Sequence, residues 1–279
     1  MSLWPKGYKM AFCFSFDVDF DSAWRRRLID NKLPEDEQVV LSIGKYGAKK
    51  GLKRILNLLD KYKIKATFFI PGIIAEKYKE TISSILKSNH EIGHHGYDHI
   101  TPLFLSEEDQ KNEIIKGLEA LKRNLGVTPL GYRAPGEGLG KTLNFLVENG
   151  LIYDSSMMDD DLPYIIEVGD RDLVEIPWRW VLDDYPFYAF NYYPPLPYKH
   201  SPPVDSRTVL QIWKDEFDYL YQEGLFMTII GHPHQIGQPS RIMALEEFIR
   251  YILSKKDVWI VTYGELAKYV LSNKKEFKA

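Results

Sequence analysis

Three of the chain's seven histidines fall within six residues, in Gly93-His94-His95-Gly96-Tyr97-Asp98-His99. Histidines four apart in a single helical turn can turn both rings toward one ion, so His95 and His99 read as a metal-ligand pair. His94 is expected to face elsewhere. Asp17-Val18-Asp19 places two carboxylates two residues apart, and on a strand running outward both point the same way. One could ligate a metal while the other accepts a proton. Arg133, in Arg133-Ala134-Pro135-Gly136, offers a guanidinium that can hold a carboxylate by two parallel hydrogen bonds. In Gly231-His232-Pro233-His234, a ring at a strand end is a natural proton donor to a leaving group, and His232 stands nearer the strand than His234. Taken singly, these motifs could also be solvated turns or surface histidines.

The elements that must position these residues alternate. Short apolar segments at 10–16, 66–70, 91–93, 130–132, 151–153, 172–177, 226–230 and 258–261 read as strands. Longer amphipathic segments at 51–62, 73–87, 106–125, 141–149, 206–222, 240–253 and 263–271 read as helices. In the first of these, Leu52, Ile55, Leu56 and Leu59 have helical spacing. Ser106 followed by Glu107, Glu108 and Asp109 is a capping signal with an acidic first turn. Repeated strand-then-helix units imply a parallel sheet covered by helices, either a barrel or a doubly wound sheet. Asp17, His95, Arg133, the run 159–161 and His232 all follow strands, at the rim where α/β folds build their sites. Two stretches interrupt the rhythm, 18–50 and the Tyr- and Pro-rich 185–203. Both are expected to be loops that shape a site or an interface.

Composition bounds the function. With 279 residues and 44% hydrophobic content the chain can bury a large core without cross-links. Its 36 basic and 39 acidic residues give a net charge of −3, which provides no electrostatic footprint for nucleic acid or an anionic membrane. A lone cysteine, Cys13, excludes an intrachain disulfide. No apolar run approaches the roughly 18–20 residues that a membrane span needs. The N-terminus carries no secretory pattern, so a cytoplasmic protein is expected.

In this order, the segments resemble the polysaccharide deacetylase family (carbohydrate esterase family four). The resemblance covers about residues 11–263. Phe16-Asp17-Val18-Asp19 is similar to the first family motif, usually T-F-D-D. His95 to His99 is similar to the second, H-[ST]-x-x-H, Arg133 to Gly136 to the third, R-x-P-[YG], and Ile230-Gly231-His232 to the last. Val18 separates two aspartates that are normally adjacent, His94 stands for the usual asparagine or serine, and Gly96 and Gly136 also depart from the pattern. Asp154-Ser155-Ser156, Asp161-Leu162-Pro163-Tyr164, Glu175-Ile176-Pro177, Asp183-Asp184 and His232-Pro233-His234 with Arg241 resemble one branch. That branch holds intracellular peptidoglycan-deacetylase-like proteins and cofactor-independent allantoinases.

The resemblance implies a distorted (β/α) barrel with fewer than eight regular strands, forming one catalytic domain over residues 1–279. It implies Asp19, His95 and His99 as ligands of a divalent metal, with Zn²⁺ the expected ion. Asp17 would be general base, oriented by Arg133, and His232 general acid, steadied by an aspartate for which Asp161 is the candidate. Trp24, Tyr97 and Tyr164 are the candidate substrate-contacting residues. The expected reaction is hydrolysis of a non-peptide C–N amide bond in a carbohydrate or small molecule, an N-acetyl group foremost. Two alternatives remain open, an allantoinase-like cyclic amide or ureide hydrolase and a carbohydrate-binding pseudoenzyme. The branch also implies a homo-oligomer.

Overall fold

A computed structural model describes residues 3–136, 138–189 and 203–278. In chain order the strands are β1 (Met10–Asp17), β2 (Thr67–Ile70), β3 (Glu91–His94), β4 (Gly131–Tyr132), β5 (Tyr153–Asp154), β6 (Tyr164–Val168), β7 (Arg171–Glu175), β8 (Phe226–Gly231) and β9 (Val258–Ile260). The helices are α1 (Ser22–Asp30), α2 (Gln38–Tyr46), α3 (Leu52–Lys61), α4 (Gly72–Lys77), α5 (Lys79–Lys87), α6 (Glu107–Leu125), α7 (Thr142–Glu148), α8 (Tyr185–Tyr188), α9 (Ser206–Glu223), α10 (Pro239–Leu253) and α11 (Tyr263–Ser272). One sheet runs β6-β7-β5-β4-β3-β2-β1-β8, with β9 also on β1. Every pairing is parallel except β6 with β7.

All eight residues of β1 are buried, the pattern of a parallel strand covered on both faces. β8 takes one edge of β1 along Ala11 to Phe16. The other edge is divided, with β9 against Met10 to Phe12 and β2 against Ser15 to Asp17. Backbone that is not strand closes the curl. Asp184 N–H donates to Ile230 O at 3.0 Å, and Phe226 N–H to Asp161 O at 3.2 Å, on the free edge of β8. Two of the nine described strands, β4 and β5, are two residues long, which leaves seven regular ones. The result is a distorted barrel, as expected.

Helix boundaries follow local chemistry. Ser106 caps α6 through the Asp109 N–H, and Gly126 ends it at φ 71° in the left-handed region that favours glycine. Asp205 caps α9, and α11 opens with a capping box between Thr262 and Glu265. Three expectations need correction. The helix expected over 73–87 breaks at Tyr78, whose hydroxyl reaches Asp21 at 2.9 Å. Strand β6 was absent from the expected set. It pairs antiparallel with β7 across Gly169-Asp170, with Gly169 at φ 64°. The stretch 18–50 is not a loop. It holds α1 and α2, which bury Trp24, Leu28, Val40 and Leu41 against one another. Of the stretch 185–203, Tyr185–Tyr188 forms α8, and residues 190–202 lie outside the described residues.

Candidate active site and metal centre

The carboxyl ends of the parallel strands share one rim. β1 delivers Asp17 and, two residues on, Asp19; β3 delivers His95; β4 delivers Arg133; β8 delivers His232. Asp19 sits in a tight turn. Its carbonyl accepts from Ser22 N–H at 2.9 Å and Ser22 Oγ at 2.7 Å, and Phe20 adopts φ 46°. A run of glycines holds that turn and the His232 turn together. A Cβ at Gly44 would lie 2.1 Å from Phe20 O, and one at Gly51 1.8 Å from Pro233 O. Only glycine lets the α2 end and the π-helical turn Gly47–Gly51 press on both segments.

His95 and His99 are not on a helix. They lie in the loop after β3, which bends through Gly96 at φ 69° and His99 at φ 54°. Glu113 of α6 accepts from Tyr97 N–H and Asp98 N–H at 3.0 and 2.9 Å, and Arg25 of α1 clamps Asp98 with two bonds at 2.9 and 3.0 Å. This bend, rather than a helical turn, brings the two rings to 5.3 Å between centroids.

Asp19 is the point of convergence. Its carboxylate lies 3.5 Å from His95 Nε2, 3.3 Å from His99 Nε2 and 3.6 Å from His232 Nε2. Burial raises its pKa, but His99, His95 and His232 together pull it well below the usual carboxylate range. His95 Nδ1 contacts the Arg133 carbonyl at 2.7 Å. A carbonyl only accepts, so Nδ1 carries the hydrogen and the neutral ring turns its Nε2 lone pair toward Asp19. Asp19 Oδ1 is buried with no hydrogen-bond partner. A lone pair facing a carboxylate is unfavourable without a cation between them. One ligand atom each from Asp19, His95 and His99 lie within 4.8 Å of one another. One carboxylate and two imidazoles, all nearly enclosed, are a donor set suited to a divalent ion.

Asp17 stands beside this group, with Oδ2 3.9 Å from His95 Nε2. Its Oδ1 accepts from Arg133 Nη1 at 2.7 Å. Arg133 is 2% exposed and is held from every side. Nε donates to Ser155 O at 3.2 Å, and Nη2 donates to Tyr263 Oη at 2.8 Å and to the hydroxyls of Ser15 and Ser155 at 3.2 Å. Burial alone would lower the guanidinium pKa; Asp17 and its neighbours raise it instead.

His232 reaches Asp19 from the end of β8. Its Nδ1 lies 2.7 Å from Asp184 Oδ1, and its backbone N–H donates to Asp184 Oδ2 at 2.9 Å. Asp183 lies 3.5 Å from the same ring nitrogen. Burial lowers the pKa of His232, but Asp183 and Asp184 outweigh it and lift the ring well above its usual value. The ring's Nε2 lies toward Asp19, at 3.6 Å.

The polysaccharide deacetylase profile matches residues 33–151. The peptidoglycan deacetylase of Helicobacter pylori is 30% identical over 282 residues, covering 91% of this chain and 94% of its own. The chain belongs to the polysaccharide deacetylase family. It is a deacetylase-type hydrolase fold acting on carbon–nitrogen bonds. A solved structure from Mycobacterium smegmatis, assigned as a polysaccharide deacetylase, superposes with TM-score 0.89 at 34% identity, covering 97% of this chain and 93% of that one. Puue allantoinase shares the fold, with TM-score 0.82 at 24% identity and coverage of 98% and 94%.

Of the candidate site residues expected from the sequence, the fold brings Asp17, Asp19, His95, His99, Arg133 and His232 to one place. Four others go elsewhere. Asp161 is a partly exposed ion-pair partner of Arg179, which also binds Glu216 at 2.9 Å. Asp184 occupies the place beside His232 instead, because α8 starts against the end of β8. Trp24 is 1% exposed and packs with α1 and α2, its ring edge-on to His234 at 6.0 Å. Tyr97 turns its hydroxyl to Glu76 of α4 at 3.3 Å. Tyr164 lies in β6 and bonds Asp159 at 2.6 Å. Asp183, Asp184, Ser15, Ser155 and Tyr263 were not assigned roles from sequence. Asp183-Asp184 entered only as part of the branch resemblance, and the fold shows which ring they face.

Proposed function

We propose that this chain is a metal-dependent hydrolase of non-peptide C–N amide bonds that removes the N-acetyl group from an acetylated sugar, the whole chain forming one catalytic domain. The observation that carries this reading is the convergence of two imidazole Nε2 atoms on Asp19 while Asp19 Oδ1 is left unpaired. With Zn²⁺ held by Asp19, His95 and His99, the site would supply Lewis-acid polarisation of the scissile carbonyl and a water acidified toward neutral pH.

The remaining chemistry belongs to the chain's own residues. Asp17 accepts the proton of the attacking water, since its Oδ2 lies on the His95 side and its Oδ1 is pinned by Arg133. Arg133 fixes the direction of Asp17 through the bond from its Nη1 to Oδ1. As the C–N bond breaks, the protonated His232 gives its Nε2 proton to the departing nitrogen, which leaves poorly as an anion. Asp184 accepts from Nδ1–H and so aims the Nε2 proton away from itself. The Helicobacter relative is a peptidoglycan deacetylase by name, which supports an acetylated glycan as the substrate class.

The test is elemental analysis of the purified protein alongside a substrate panel. One divalent ion per chain with acetate released from N-acetyl sugars supports the reading. Ammonia or ring opening from cyclic ureides would favour an allantoinase-like hydrolase, and binding without turnover a carbohydrate-binding pseudoenzyme.

A further inference from the structure

Two buried carboxyl groups behind Arg133 take no part in the chemistry above. Asp154 ends β5 and Glu175 ends β7, and the parallel register sets them opposite each other. Both residues are 0% exposed. Asp154 Oδ2 and Glu175 Oε2 are both buried, and neither has a hydrogen-bond partner among the described residues. Two carboxylates offer only acceptors, so a hydrogen bond between them requires a proton.

The other oxygens of the pair shape the chain beside the active site. Glu175 Oε1 accepts from Ser156 N–H at 2.9 Å and Met157 N–H at 2.8 Å. Asp154 Oδ1 accepts from Ser156 Oγ at 2.9 Å, and Ser156 Oγ in turn accepts from Ala134 N–H, next to Arg133, at 3.0 Å. Ser155, at the start of this turn, holds Arg133 through its carbonyl and its hydroxyl. The path from the acid pair to Asp17 is thus continuous through hydrogen bonds.

We propose that Asp154 and Glu175 share one proton and are positioning residues that hold, through the 155–157 turn, the Arg133 guanidinium on Asp17. The proposal rests on the reading of Asp17 as general base. The groups facing the pair are Tyr132 on β4, Arg133, and Tyr164 on β6, with Tyr263 of α11 behind Arg133. None of the three tyrosines is an acid at neutral pH, so none can replace the shared proton. Burial raises both carboxyls above the usual range, Asp154 to about 6, and the negative charge of Asp154 adds to the rise at Glu175.

The experiment compares Glu175→Gln with Glu175→Leu in the full chain. The glutamine oxygen accepts the two turn N–H groups, and its amide supplies the hydrogen to Asp154 permanently. It should therefore keep turnover within about twofold of wild type. Leucine removes both functions and should lower kcat about 10- to 100-fold with KM little changed. Infrared spectroscopy of the resting protein at pH 7 should show a protonated buried carboxyl band in wild type that is absent from the spectrum of Glu175→Gln by difference. Because the folded pKa values are raised, stability falls as pH rises from the ordinary carboxylate range through them, and over that rise wild type should lose thermal stability relative to Glu175→Gln. Absence of the carboxyl band in wild type, or a Glu175→Gln variant as impaired as Glu175→Leu, would overturn the proposal. Should Glu175→Leu not fold, the infrared comparison decides. A fully active Asp17→Asn variant would instead refute the base assignment, and the band stands apart from that result.

Discussion

Replacing Asp184 with asparagine is the sharpest probe of the proton-donating side of the site. Asp184 holds His232 twice, at 2.7 Å through Nδ1 and at 2.9 Å through the backbone N–H, and it is completely buried. Asparagine keeps the shape and one acceptor but removes the charge, and its amide can face Nδ1 and favour the wrong tautomer. A buried hydrogen bond to a charged group contributes about 1.5–3 kcal/mol, and each ~1.4 kcal/mol is tenfold in rate. Asp184→Asn should therefore lower kcat about 10- to 150-fold, with metal content and KM little changed. The matched control is Asp161→Asn, which loses only a partly exposed pair with Arg179 and should stay within about twofold of wild type. Both are assayed by acetate release on the best substrate of an N-acetyl sugar panel, with metal content measured on the same samples. Wild-type turnover in Asp184→Asn, or a large loss in Asp161→Asn, would refute the assignment of Asp184 as the partner of His232.

Other outcomes follow from the same geometry. Asp17→Asn and His232→Ala should each lower turnover by about 10²-fold or more while the metal stays bound. Gly51→Ala places a methyl 1.8 Å from Pro233 O, so it should destabilise the fold by about 1–3 kcal/mol in chemical denaturation and depress activity by displacing the His232 turn. His90 accepts from Ala66 N–H through Nδ1 at 3.2 Å, and burial lowers its pKa from 6.5 to about 4. The unfolded ring binds a proton that the folded ring refuses between those values, so stability present above pH 6.5 is lost as pH falls toward 4. After allowance for solvent screening the loss is about 2 kcal/mol, and His90→Asn should flatten that part of the stability curve.

Much of the barrel was legible because its strands are short, apolar and bounded by helices with strong end signals. Ser106, Gly126, Asp205 and the Thr262–Glu265 box each satisfy local backbone groups that any fold would have to satisfy. The 18–50 helices were harder to read, because α1 is Ser-Ala-Trp-Arg-Arg-Arg-Leu-Ile-Asp, with only Trp24 and Leu28 buried among its large apolar residues. The β6–β7 hairpin carried its signal in Gly169-Asp170 between two β-rich runs. In the site, residues that end parallel strands were found because strand ends and polar residues coincide. Asp184 escaped because it follows a 3₁₀ turn, Trp180–Leu182, and meets His232 across 48 residues of sequence through an irregular closure of the barrel. Spacing suggested the His95/His99 pair through a helical turn, whereas a loop bend brings the two rings together. The bend at Gly96 and His99 depends on Glu113 and Arg25, which sequence spacing does not couple to it.

The central claim is that Asp19, His95 and His99 together bind one divalent ion while Asp17 and His232 do not. Elemental analysis with zinc titration on wild type and on the five single variants Asp19→Ala, His95→Ala, His99→Ala, Asp17→Asn and His232→Ala measures it directly. The account predicts about one equivalent of metal in wild type, Asp17→Asn and His232→Ala, and loss of tight binding in the other three. Equal retention in all five, or equal loss in all five, would contradict it.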